Sequence, residues 1–265
     1  MIQNITLGQY IPGSSVLHRM DPRTKILWTM MLMVAVFMIQ SLPEYIMMGS
    51  LTVILLMVSS VPVKFALKGI KPLALILLIT ALLNIFFVGG TPLVTLGPVT
   101  VTYEGIISAI KLFFRLIMLV LTASLMTLTT TPMAMTDGIE KLLKPTEKIG
   151  VPAHEIAMMM SIALRFIPTL MEETERIMKA QASRGADFDT GSIFSRVKSF
   201  IPVLVPLFVS AFKRADELAE AMESRCYRGG NGRTRLKSIR YTSVDLTTTL
   251  LGIMFLILLF GIRLL

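Results

Sequence analysis

The sequence predicts an all-α, polytopic membrane protein with about five transmembrane helices, interrupted by a cytoplasmic helical domain. Three observations predict it. The 265-residue chain is 54% hydrophobic, with a mean hydropathy of +0.72, far above a soluble domain. Its apolar residues gather into runs long enough to approach a bilayer crossing of about 30 Å. Its cations are distributed very unevenly between the intervening loops, as membrane orientation requires.

The runs come in order. The first covers residues 26–40, and Asp21-Pro22 before it reads as an N-cap with proline at the first helical position. No small-residue cleavage site follows it, so it reads as a crossing and not as a cleaved secretory signal. Runs at 45–61, 73–88, about 105–130 and about 246–262 follow. The N-terminal segment holds Arg19, Arg23 and Lys25, and the second loop holds Lys64, Lys68 and Lys71. The loops 41–44 and 89–104 hold no Lys or Arg, whereas segment 131–244 holds 17 of the 26. The positive-inside rule then puts the N-terminus and segment 131–244 in the cytoplasm, with Arg263 outside. The expected domains are 1–130 with about four crossings, 131–244 as the cytoplasmic domain, and 245–265 as a last crossing.

Segment 131–244 is too polar for membrane and too apolar for an ordinary soluble loop. Residues 137–148 read as a short amphipathic helix. Pro152 opens a helix predicted to reach about Arg184, apolar over 156–170 and charged over 171–183, with a kink near Pro168. After a turn at 187–191 the plan repeats, apolar over 200–212 and charged over 213–225. The apolar halves fall short of the roughly 20 residues that a crossing needs. They read as half-buried, against the membrane domain or at its inner interface, and they leave the count of crossings between four and six.

Composition also narrows the chemistry. The net charge of +9 is better explained by membrane orientation than by nucleic acid. One cysteine and two histidines rule out a disulfide framework and argue against zinc or haem; no cofactor is expected. The stretch GGNGRTR, 229–235, lacks the Gly-Lys-Ser/Thr of a phosphate-binding loop, so the chain is not expected to hydrolyse ATP. His18 and His154, at helix starts, read as satisfied interfacial histidines. The twenty methionines suit surfaces that re-pack against different partners, or simply fill core and lipid-facing positions. Lys111 and Arg115 are the basic residues inside an apolar crossing and share one helix face. Two readings stay open for them: a polar contact inside the bundle or with a membrane partner, or snorkelling from a long, tilted helix.

The two charged helices end alike, in Ser183-Arg184-Gly185 and Ser224-Arg225-Cys226. Taken singly, an arginine in a last turn complements the helix dipole, and Gly185 is a good C-cap. Capping requires neither a matching serine nor a second helix of the same design. The repetition points to two docking ends, and arginine suits docking because its planar fork binds acidic groups and carbonyls bidentately.

Three stretches then resemble a known family: GQYIPGSSVLHRMDPRTKI at 8–26, QASRGAD at 181–187 and MESRCYRG at 222–229. Over essentially the whole chain the sequence is similar to the T component, the transmembrane coupling subunit, of energy-coupling factor transporters. These are ATP-driven importers of vitamins and, in a related group, of cobalt or nickel. The resemblance implies two long coupling helices crossed in an X plus a shorter one. It implies two ATP-binding-cassette subunits, one docked by Arg184 and the other by Arg225, with Ser183, Gly185, Ser224 and Cys226 flanking. It also implies a membrane S component that binds the vitamin. Cys226 departs from the family pattern, in which a glycine is usual. The alternatives are a self-contained secondary transporter, expected to carry intramembrane charges and broken helices, and a membrane scaffold that transports nothing.

Overall fold

A computed structural model describes residues 10–96, 99–188, 192–230 and 239–262. Residues 8–9 of the first family-like stretch, part of the 187–191 turn, most of GGNGRTR and Arg263 lie outside the described residues. The chain divides into two compact units, Gly8–Gly138 with Lys237–Leu265, and Ile139–Leu236.

The first unit carries the apolar runs. A four-residue helix α1 (Val16–Arg19) precedes α2 (Pro22–Met38), α3 (Leu42–Val58), α4 (Val63–Lys68), a 3-10 turn (Lys71–Leu73) and α5 (Ala74–Phe87). Then come strands β1 (Pro92–Leu96) and β2 (Val99–Thr102), α6 (Tyr103–Thr129) and, after the second unit, α10 (Ser243–Ile262). Val63–Phe87, α6 and α10 are long and apolar enough to cross a membrane, and α3 is a shorter apolar helix. As the sequence predicts, Pro22 opens α2 and the Asp21 side chain accepts from Arg23 N–H. The third helix begins ten residues earlier than its apolar run, because α4 and the 3-10 turn carry the helical path through Lys64, Lys68 and Lys71. A cluster of Leu32, Val36, Ile39, Tyr45, Met48 and Met118 forms the core between α2, α3 and α6.

The segment read as a plain loop at 89–104 contains an antiparallel hairpin, with Pro92 opposite Thr102 and Leu96 opposite Val99. Its β-branched valines and threonines favour the extended backbone. Two contacts pin it. Thr102 Oγ1 donates to the Val88 carbonyl at 2.6 Å, and Thr91 N–H donates to Glu104 Oε2 at 2.7 Å.

A buried polar belt ties three helix ends together. Asp245, 3% exposed, accepts from Asp21 N–H at 2.7 Å and from Thr242 N–H at 2.8 Å. Arg23 grips Asp21 at 2.7 Å and lies 4.0 Å over the Tyr241 ring. Lys25 is buried and donates to the Thr129 carbonyl at 2.9 Å and to Thr130 Oγ1 at 3.1 Å. Those groups close the C-terminal end of α6, where helical carbonyls have no intrahelical donor.

In the second unit, α8 (Ala153–Ser183) and α9 (Ile193–Ser224) are 31 and 32 residues long. Both remain helical through their internal prolines, Pro168 in α8 and Pro202 and Pro206 in α9. The predicted short amphipathic helix is α7 (Pro132–Leu143) followed by a 3-10 helix (Lys144–Ile149).

Candidate functional site: the two arginine-ended helices

The pair α8 and α9 runs antiparallel. Phe188, just past α8, packs on Phe200 near the start of α9, with ring centroids 5.3 Å apart. At the other end Tyr227 OH lies 3.4 Å from His154 Nε2. Between them Arg214 Nη2 donates to Glu173 Oε2 at 2.7 Å. The offset of 41 residues that aligns Arg184 with Arg225 also aligns Glu173 with Arg214. The helices therefore meet at equivalent positions, and each arginine lies eleven residues beyond that meeting point. At 1.5 Å per residue this is roughly 16 Å along each helix, in opposite directions.

The two endings have the same backbone. In α8, Gly185 N–H donates to the Ala182 carbonyl and Ala186 N–H to the Gln181 carbonyl, at 2.9 and 3.0 Å. In α9, Cys226 N–H donates to Glu223 and Tyr227 N–H to Met222, at 2.8 and 3.0 Å. Both are Schellman motifs, which place one residue in the left-handed region. That residue is Gly185 with φ +90° and Cys226 with φ +56°. The cysteine thus adopts the cap that glycine would adopt, with the strain of a Cβ there. Each serine hydroxyl is held by its own helix: Ser183 donates to the Lys179 carbonyl and Ser224 to the Ala221 carbonyl, both at 3.1 Å.

Ser183, Arg184, Gly185, Ser224, Arg225 and Cys226 are all exposed. Among the described residues, neither Arg184 nor Arg225 forms an ion pair. The structure therefore does not join the six residues into one pocket. It sets them as two separate triplets, one at each outer end.

Lys111 and Arg115 lie elsewhere, on α6. Lys111 Nζ donates to the Gln40 carbonyl at 3.0 Å and Arg115 Nη2 to the Ile39 carbonyl at 2.7 Å. Both cations therefore reach the C-terminal end of α2, where carbonyls and the helix dipole favour positive charge. The histidines are satisfied as expected. His18 contacts Ser15 Oγ at 2.7 Å and the Ile11 carbonyl at 2.9 Å.

Two contacts escaped the sequence reading. One is Glu173–Arg214, which sliding one helix over the other by 41 positions would have found. The other is the chain Glu140–His154–Tyr227, whose Nδ1 link is 3.2 Å. It anchors the residue that follows Cys226, and nothing in the spacing of these three residues signals it.

α9 also carries an exposed apolar stripe. Phe194, Val197, Ile201, Val205, Phe208 and Phe212 are all solvent-facing, and their spacing of three or four places them on one helix face.

Comparison with known proteins bears on this arrangement. A family model described as cobalt transport protein matches residues 13–236. The chain belongs to this family. Relatives carrying the name energy-coupling factor transporter transmembrane protein EcfT match it over nearly their whole length. The one from Ruminiclostridium cellulolyticum is 55% identical, covering 96% of both chains. The one from Thermosediminibacter oceani is 54% identical over 92% of both. The Bacillus subtilis protein is 45% identical over 99% of this chain and all of its own. The resemblance carried by the three sequence stretches is therefore a true membership. The chain is an energy-coupling transmembrane component of this transporter class.

Proposed function

We propose that the chain couples ATP hydrolysis in partner subunits to solute import by a membrane partner. Arg184 docks one ATP-binding-cassette subunit and Arg225 the other. Ser183 and Gly185, and Ser224 and Cys226, hold each guanidinium at the tip of its helix. The exposed stripe of α9 meets the S component, which binds the vitamin. The chain itself is non-catalytic. The N-terminus and residues 131–244 face the cytoplasm, and segments 1–130 and 245–265 lie in the membrane.

The observation that carries this reading is the matched pair of ends. Two helices of equal build finish in the same motif, each with an exposed arginine that forms no ion pair among the described residues, roughly 16 Å either side of their contact. An ATPase pair that closes on ATP presents two sockets that move together. A rigid helix inserted in each converts that closure into relative motion of α8 and α9. The coupling works to the extent that ATP binding favours one arrangement of the helices over the other.

The test is ATP-dependent uptake and co-purification after Arg184→Ala, Arg225→Ala and both together. The double variant loses the ATPases and uptake, while the chain stays folded in the membrane. Normal uptake by the double variant would overturn the reading. A self-contained secondary transporter would instead move solute when purified alone.

A further inference from the structure

The membrane unit contains a groove that the coupling role does not use. It has a volume of about 320 Å³ and is walled by α1, α2, α3, α6 and α10. Its walls include Leu17, Trp28, Leu55, Leu125, Leu251 and Phe255. Three of the four threonines that reach it have their hydroxyls turned away. Thr122 donates to the Met118 carbonyl, Thr129 to Leu125 and Thr248 to Val244, at 2.7 to 2.8 Å. Back-bonded in this way, they present methyl groups to the cavity. The indole of Trp28 is held by Thr249 Oγ1 at 3.4 Å. It lies so close to α10 that a Cβ on Gly252 would fall 2.4 Å from the ring.

Such a lining gives an occupant almost nothing to hydrogen-bond, and apolar cavities exclude water. At about 320 Å³ the groove is far smaller than a transmembrane helix, which is about 10 Å across and roughly 30 Å long. A hydrocarbon chain fits in size and polarity. Lys25, which lines the groove, and the charges that neighbour its lining residues in the chain or in the same polar belt specify the rest. Asp21 is gripped by Arg23, Asp245 is engaged by backbone N–H groups, and buried Lys25 faces Thr129 and Thr130. Arg19 lies on α1 between the groove residues Leu17 and Met20 and is exposed; among the described residues no acid pairs with it.

We propose that this groove binds one acyl chain of an anionic phospholipid, with Arg19 engaging the headgroup phosphate. The N-terminal stretch thereby acquires a role separate from that of the arginine-ended helices, and this proposal does not rest on theirs.

Trp28 is the only tryptophan in the chain, so its fluorescence reports on the groove directly. The full-length chain is reconstituted in mixed phosphatidylcholine and phosphatidylglycerol vesicles, with bromine on the acyl chains of one lipid or the other. Brominated phosphatidylglycerol is expected to quench Trp28 with a relative association on the order of fivefold above phosphatidylcholine, the effect of one cation near an anionic lipid. Arg19→Gln removes the preference and Arg19→Lys keeps it. Leu55→Phe, which fills the groove, lowers the quenching by phosphatidylglycerol to the phosphatidylcholine level. Equal quenching by both lipids in the unaltered chain overturns the proposal, as does weak quenching by either or a preference that survives Arg19→Gln. The comparison in the unaltered chain decides the matter even if a variant fails to fold.

Discussion

Cys226 and Gly185 occupy one backbone position in two helices, and their side chains should reveal it. A non-glycine residue in the left-handed region carries a strain of roughly 1–2 kcal/mol. Cys226→Gly relieves that strain and loses some back through chain entropy. It should leave uptake unchanged and shift stability by less than about 1 kcal/mol in a thermal unfolding assay. Cys226→Val places a β-branched residue where φ is +56° and should destabilise the end of α9 by more than Cys226→Gly changes it. Lys25 makes the opposite case, as a buried group with partners. Lys25→Met leaves the Thr129 carbonyl without its donor, and losing a buried hydrogen-bond partner costs about 1–3 kcal/mol. Denaturation of the membrane unit in mild detergent measures it. The role of Asp21 as a cap was legible from Asp21-Pro22, since local capping follows from neighbours in the chain. The reach from Asp21 to Asp245 was not, because it joins residues 224 positions apart and only the packed bundle brings them together.

Among the elements, the long helices were read nearly to their ends: α8 was expected from Pro152 to about Arg184 and runs Ala153–Ser183. Their contrast of apolar and charged halves is a property of each segment alone, so it survives without tertiary information. The hairpin β1–β2 was missed because its strands are short, at five and four residues, and glycine and proline punctuate the segment. The helix pair makes a prediction of its own. Glu173 and Arg214 are only partly buried, with side chains 24% and 31% exposed. Their coupling in a double-mutant cycle should be modest, about 0.5–1 kcal/mol, and exchanging the two residues should restore much of it. The stripe on α9 should be separable from the arginines. Phe208→Glu is expected to release the membrane partner while both ATPases still co-purify, whereas Arg184→Ala with Arg225→Ala does the reverse. Loss of the ATPases in Phe208→Glu would show that the stripe does not serve the membrane partner.

For the whole molecule, the distribution of cations and the apolar runs made the membrane class readable before any coordinate. The arginine triplets were readable as a pair because Ser-Arg followed by a small residue recurs at a fixed offset. What no single helix reveals is that the offset marks a contact as well as an alignment. The lone cysteine offers a direct test of orientation, being exposed at the end of α9. In intact cells it should resist a membrane-impermeant maleimide, and in inverted vesicles it should react. Docked ATPases should protect it there. Labelling from the outside would reverse the assigned topology.

The meeting of Glu173 with Arg214 has a consequence for symmetry. Antiparallel helices that touch at equivalent residues are related by a local dyad, and the dyad passes through that contact. A single chain thus presents a two-fold face, the form best matched to a dimer whose own axis is a two-fold. On such an axis a residue faces its own counterpart. Two glutamates there would repel, and so would two arginines. The one position where the two halves are obliged to differ in charge is the one where they do.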